Sequence, residues 1–349
     1  MMPRHVLVVV ANQILSERVM HTALIRMKSP LAIRFLLGLA IYAFVVSASQ
    51  AGVLPGLSTL SESDIRQSAI AFVNMATSPG LEGATVNVDQ ENRQSDQWRS
   101  SLGFNAEFTL RDHIYNGYWG VALVGGELKD NIELIADNNQ PVQLDLTRQV
   151  VALRGSLGLS LPINQYFKIR PYLTLVLSDM QSESFFEGLP GADPLNNPQT
   201  TLHFQSNAQV LSTIGSAEAV YFRWFGDYKV DLSAHYNLIY STAVSENNPI
   251  LNTEDWDHTV QLKSRFSGPT ELITAARPWR WNAYANYINF LSHSEASLGY
   301  NRLLEFGAGL DWKINIKPLD WFGWEYLGIS AGLIIGGDVE GYNVGLTAR

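Results

Sequence analysis

Residues 98–111 read WRSSLGFNAEFTLR. Trp98, Leu102, Phe104, Ala106, Phe108 and Leu110 fall on one parity, and Arg99, Ser101, Asn105, Glu107, Thr109 and Arg111 on the other. Successive side chains of a strand point to opposite faces of a sheet, so this alternation marks a β-strand with one oily and one wet side. Strands of soluble domains usually run about five or six residues. The apolar side of a longer one faces either the dry core of a sandwich or the lipid around a membrane barrel, which a tilted strand crosses in about 9 to 11 residues.

The alternation recurs downstream. Val151, Leu153, Leu157, Leu159 and Leu161 oppose Arg154, Ser156 and Ser160, and Ile169, Leu173, Leu175 and Leu177 oppose Lys168, Arg170, Tyr172 and Thr174. Val230, Leu232, Ala234, Tyr236, Leu238 and Tyr240 oppose Lys229, Asp231, Ser233, His235 and Asn237. Val260, Leu262 and Phe266 oppose Gln261, Lys263 and Arg265; Trp279, Trp281, Ala283 and Ala285 oppose Arg280, Asn282 and Tyr284; Phe306, Leu310 and Trp312 oppose Glu305, Asp311 and Lys313. Weaker segments at 83–89, 117–126, 209–225, 324–335 and 342–349 bring the total to twelve. The expectation is an all-β chain, a twelve-stranded antiparallel up-and-down transmembrane β-barrel with lipid outside and a polar lumen. A soluble periplasmic β-sandwich is the competing fold, although it does not require charged residues to alternate with Trp and Leu along so many long strands.

An even-stranded barrel with both termini in the periplasm alternates short inner turns with longer outer loops. Inner turns are expected at 112–116, 162–166, 226–228, 267–278 and 317–322, and outer loops at 89–97, 127–147, 179–201, 245–257, 292–297 and 336–341. Those outer loops hold 19 Asp+Glu and two bases, Arg93 and Lys129. The pattern suits lipopolysaccharide bridged by divalent cations, and it is equally ordinary for solvated loops.

From Met27 the chain reads MKSPLAIRFLLGLAIYAFVVSASQA. Lys28 and Arg34 make a basic start, Phe35 to Val46 an apolar core, and Ser49-Gln50-Ala51 a small-x-small site, which together read as a secretory signal peptide. Residues 1–51 are therefore expected to be removed, with the true start at Met27 or Met20, leaving an N-terminal segment at 52–80 and the barrel at 81–349. Without residues 1–51 the chain carries 19 Lys+Arg against 32 Asp+Glu, a net charge of −13, which argues against nucleic acid as a partner. Cysteine is absent, so there is no disulfide framework.

In the N-terminal segment, Ser61 to Asp64 give a helix start signal and Ile65, Ala69, Phe72, Val73 and Ala76 an apolar stripe, predicting a helix over 62–77 that Pro79-Gly80 ends. A stripe of that kind needs cover, which a wholly hydrated lumen cannot supply. The helix is accordingly expected at the periplasmic end, partly closing the barrel, with Arg66 and Gln67 toward water or lumen charges.

The chemistry-bearing residues are few. His235 is lumen-facing without a His-x-Ser pattern, and Asp255, Asp257 and His258 sit at a strand mouth with His258 on the lipid side. Neither group makes a convincing site, so no enzyme and no cofactor or metal is expected; a lumenal enzyme of the lipid-hydrolase type is the alternative. Parity places Arg99, Arg111, Arg148, Arg154, Lys168, Arg170, Arg223, Lys229, Lys263, Arg265, Arg280 and Lys313 in the lumen, against Glu107, Asp231, Glu305 and Asp311. Rings of basic side chains favour anions in a pore. The other outcome is a closed lumen in which the charges pair with one another and with the helix, since twelve strands leave a narrow interior. Thr174 counts here as a wet position where Arg is tolerated, in contrast to lipid-facing Leu175.

The stretches at 98–111 and 151–178, the helix before them and the closing GYNVGLTAR resemble the solitary autotransporter-like β-barrels of the Gram-negative outer membrane, over about residues 60–349. The resemblance implies a monomer in outer-membrane lipid and lipopolysaccharide, inserted by the outer-membrane assembly machinery through residues 342–349. Tyr342, Val344, Leu346 and Ala348 carry the outward alternation of that last strand, and Arg349 stands where the family carries a terminal aromatic. The short segment from Ala51 to Pro79 does not imply an exported passenger.

Overall fold

The computed structural model describes residues 62–348 apart from 80–82, 91, 111–114, 136–140, 188–201, 247–253, 293–297, 315–324 and 338. The expected signal peptide, its start at Met20 or Met27, and Arg111 lie outside the described residues. A helix, α1 (Glu62–Thr77), precedes β1 (Ala84–Gln90), β2 (Arg93–Thr109), β3 (Asn116–Ile135), β4 (Pro141–Asn164), β5 (Phe167–Glu187) and β6 (Leu202–Phe225). Then follow β7 (Tyr228–Glu246), β8 (Glu254–Thr274), β9 (Arg277–Phe290), β10 (Arg302–Lys313), β11 (Tyr326–Gly336) and β12 (Val339–Ala348).

The strands pair antiparallel in sequence order, and β1 closes on β12 through Thr85↔Tyr342 to Val88↔Val339. Closure excludes the sandwich, which needs two sheets facing across a dry layer. Leu102, Val344 and Leu346 are 76, 75 and 87% exposed; outward apolar side chains on a closed barrel are what a bilayer solvates. The protein is a transmembrane β-barrel.

Several strands outrun their predicted bounds. The loops expected at 127–147 and 179–201 begin as strand, because polar side chains there pair across the sheet instead of leaving it. Asn131 donates to Asp145 Oδ1 (2.8 Å), Gln149 to Glu127 Oε2 (2.9 Å) and Gln205 to Glu183 Oε1 (2.9 Å). The inner turn expected at 267–278 is also mostly strand. Pro269 is accommodated at an irregularity between Pro269 and Ile273, and the reversal falls to Ala275 and Ala276, whose φ angles of 53° and 58° suit a tight hairpin. A second short turn is tied by Asn164 Oδ1, which accepts from the N–H groups of Tyr166 (2.8 Å) and Phe167 (3.0 Å).

These tight turns and the end of β12 share one rim, called here the turn end, and the end of β5 and the start of β6 lie at the opposite rim, the loop end. The inward face changes character between them. Toward the loop end, Leu128, Val150, Met180, Val210, Ile288 and Phe290 are buried with the apolar residues of α1. Val124, Ala152, Val176, Ile214 and Ile239 continue that apolar lining across five strands. Toward the turn end the inward side chains are mostly polar and charged, with Lys229 over the rings of Phe222 and Trp224.

Candidate functional site

The site is the occupied lumen. The sequence places α1 at the end that carries the short turns, partly closing the barrel, whereas its apolar residues are buried with those of the loop half. Ala69 to Ser78 are buried inside the barrel, and the apolar inner wall of the loop half supplies the cover that the stripe needs. The same parity that turns Arg154 inward turns Val150 and Ala152 inward as well, so the lumen was never uniformly wet. Ala76 lies against Gly126, where an added Cβ would stand 3.6 Å from the Ala76 Cβ. Gln67 is half-buried, and the Arg66 side chain lies outside the described residues.

Helix direction follows from its ends. Arg148 Nη2 donates to Ser68 Oγ at 2.7 Å, whereas Arg154, nearer the turn end of the same strand, donates through Nη1 to the carbonyls of Thr77 (3.3 Å) and Ser78 (3.2 Å). The N-terminal end of α1 therefore points to the loop end. Arg99 donates to Met75 O and Ser78 O, both at 3.2 Å, and Gln261 Nε2 to Pro79 O at 2.8 Å. The last carbonyls of a helix have no partner within it and carry the negative end of its dipole. The two guanidinium groups supply donors to the helix carbonyls of Met75 and Thr77 and, with the Gln261 amide, hold the carbonyls of Ser78 and Pro79 just beyond it. In the last turn of the helix, Ser241 Oγ donates to Asn74 Oδ1 at 2.6 Å and shares a 2.7 Å hydrogen bond with Ser212.

Below α1 lies an ionic network. Lys168 Nζ and Arg170 Nη2 both reach Glu107 Oε1 at 2.6 Å, and Arg170 Nη1 reaches Glu218 Oε2 at 3.0 Å. Glu107 is on β2 and the two bases are on β5, so the network bridges strands that do not pair. Arg170 also sits 5.3 Å above the Tyr118 ring. Lys229 pairs with Asp231 at 2.7 Å. Toward the turn end, Lys263, Arg265, Tyr284, Asn286 and Ser330 help to line a cavity of about 270 Å³. Asn282 donates to Asp311 Oδ2 (2.9 Å), and Asn286 and Asn343 donate to the two oxygens of Glu305 (3.0 and 2.9 Å). Arg280 donates to Asp227 O at 2.7 Å, at the rim, and Lys313 is exposed there with Asp311's parity.

Three departures from the sequence reading matter. Glu218 and Asp130 face inward and were absent from the expected acids. Asp130 pairs with Arg93 at 2.7 Å and accepts from Ser95, in a position expected to be loop. Arg223 is not a lumen residue, because it pairs in register with lipid-facing Val230. Thr174 is not wet: it is fully buried, with its hydroxyl 2.8 Å from Ser156.

The enzyme alternative meets its geometry at His235. Its Nε2 lies 3.3 Å from Glu218 Oε1 and also 3.3 Å from Ser233 Oγ. A nucleophile–base–acid relay uses the two ring nitrogens separately, one for each partner, and here both partners meet the same one. His258 is on the lipid side as expected, its Nδ1 2.6 Å from the Tyr236 hydroxyl.

No protein-family model and no curated protein sequence matches the chain. Among solved structures it is similar to the β domain of the Bordetella autotransporter BrkA (12% identity, TM-score 0.48, covering 76% of this chain and 96% of that one). It is also similar to the translocator domain of NalP from Neisseria meningitidis (14%, 0.47, 83% and 100%) and to the transport unit of AIDA-I from Escherichia coli (12%, 0.45, 83% and 100%).

Proposed function

We propose that the protein is a non-enzymatic barrel of the Gram-negative outer membrane, held shut by its own N-terminal helix, and that it becomes an anion-preferring pore when α1 leaves. The observation that carries this reading is the seat of α1, buried in the lumen with Arg99 and Arg154 on its last carbonyls. The bases that would favour anions in an open pore are the groups that hold the closed one. In this reading the turn end is periplasmic, which its tight turns support.

The expected lipid and lipopolysaccharide surroundings, and insertion by the assembly machinery through residues 342–349, belong to the same reading. Tyr342, Val344 and Leu346 support it by projecting outward. The test is planar-bilayer conductance of the refolded full chain beside a chain lacking residues 52–78. The full chain is expected to be quiet, while the deletion conducts and prefers chloride over potassium because it uncovers Arg99, Arg148 and Arg154. Equal conductance, or preference for cations, would refute the proposal.

A further inference from the structure

The outward wall is not smooth. Where β6 to β9 run side by side, the outward positions Ala219, Ala234, Ser264 and Ala285 are small, and they floor a groove of about 440 Å³ between Tyr221 and Tyr287. Ala219 pairs with Ala234 and Ser264 with Ala285, so the floor crosses adjacent strands. The Ser264 hydroxyl is satisfied by Ala285 O at 3.2 Å and leaves the floor without a free polar group. Ala219 and Ala234 lie in the turn half, a few residues from the end of β6 at Phe225 and the start of β7 at Tyr228.

A basic group stands at the mouth of this groove. Arg223 follows Tyr221 by two residues on the same outward parity and is exposed at the turn-end rim. Its guanidinium rests 5.2 Å from the Tyr166 ring and 5.0 Å from the Phe225 ring. No ion pair to Arg223 is found among the described residues, and aromatic faces hold a guanidinium while leaving its edge donors available. Its place on the rim side of Tyr221 follows the order of a lipid, an anionic phosphate at the interface and an acyl chain below it.

We propose that this groove and Arg223 form a site for one glycerophospholipid of the periplasmic leaflet, with its phosphate on Arg223 and an acyl chain along Ala219 and Ala234. The proposal rests on the membrane-barrel fold and on the orientation given above, and not on whether α1 closes a pore. The site takes a phospholipid and not the lipid of the opposite leaflet because its basic group and the Ala219–Ala234 part of its floor are in the turn half. Arg is suited to the task because its planar fork meets two phosphate oxygens at once.

The test is native mass spectrometry of the full chain, purified in detergent and incubated with dioleoyl phosphatidylglycerol. Wild type is expected to retain one phospholipid through detergent removal. Ala234→Phe, which fills the floor from the lipid side, should lose most of that retention, and Arg223→Gln should lower it several-fold. Heat-modifiable migration on a gel establishes that each variant is a folded barrel, and Leu153→Phe, outward but remote from the groove, keeps wild-type retention. Equal retention in wild type and Ala234→Phe would overturn the site, as would retention of lipopolysaccharide instead of phospholipid, or a second copy of the chain filling the face. A barrel that binds the phospholipid yet conducts without deletion would sink the closed-pore reading and leave this site standing.

Discussion

At the scale of single residues, the two sides of one strand give opposite mutational outcomes. Leu175 is 53% exposed to lipid, and Leu175→Arg is expected to cost about 2–4 kcal/mol of folding free energy in lipid vesicles, the cost of a basic residue near the bilayer midplane. Thr174→Arg acts differently from what parity alone suggested. Thr174 is buried beneath the end of α1 beside Ser156, two residues from Arg154, so a large cation there competes with the helix for space. That variant is expected to fold as a barrel and to show a leaky lumen by liposome efflux, whereas a tight lumen would show that the site is roomier than the structure has it. Arg99→Ala removes donors from the carbonyls of Met75 and Ser78 and should weaken the seat of α1 by about 1.5–3 kcal/mol, the range for hydrogen bonds to charged groups. Arg99→Lys restores only part of this, because a single ammonium cannot span both carbonyls as the fork does. Limited proteolysis of α1 in the folded barrel reads both changes. Arg99 and Arg154 were legible as inward bases from Trp98–Arg111 and its sister strand. Their partners were not, because carbonyls at a helix end have no signature in side-chain parity.

At the scale of elements, α1 is the part whose identity was readable and whose place was not. Its start signal and apolar stripe give Glu62–Thr77, the span the structure shows. Placing it required knowing that the inner wall is itself apolar toward the loop end. That was concealed because Leu128, Leu144, Leu146 and Met180 lie in stretches whose charged neighbours read as loop. Outward Glu127, Asp145 and Glu183 make cross-strand pairs above the lipid band, so strands continue where hydropathy falls away. The packing of α1 predicts a large effect from its center: Phe72 is fully buried among the lumen residues. Phe72→Ala should cost about 3–5 kcal/mol of helix docking through lost contacts and the cavity left behind. Hydrogen exchange of α1 should then approach that of a free peptide while the strands keep their protection; unchanged protection of α1 would mean that Phe72 is not a principal anchor.

At the scale of the whole molecule, the barrel and its contents are two layers with different solvents. The outer layer is solvated by lipid and was legible from alternation alone, down to the closing strand with Tyr342, Val344 and Leu346. The inner layer depends on contacts far apart in sequence, such as Arg170 with Glu107 and Glu218, or Gln261 with Pro79, and no local pattern announces those. A segment near the loop end adds to the closure: Tyr300 donates to Gln97 Oε1 at 2.7 Å, and Gln97 Nε2 donates to Leu298 O at 3.3 Å, which holds Leu298 and Tyr300 buried beside α1. The central claim, that α1 lies inside the loop half of the lumen and blocks it, has a direct test because the natural chain contains no cysteine. At Gly126 an added Cβ would lie 3.6 Å from that of Ala76, within the range of about 3.5–4.5 Å that a disulfide spans. The double variant Ala76→Cys, Gly126→Cys is therefore expected to cross-link on mild oxidation in the folded barrel. Oxidised, it should be as silent in a planar bilayer as the full chain. Free thiols that both react with maleimide after oxidation, or a cross-linked barrel that conducts, would contradict the account.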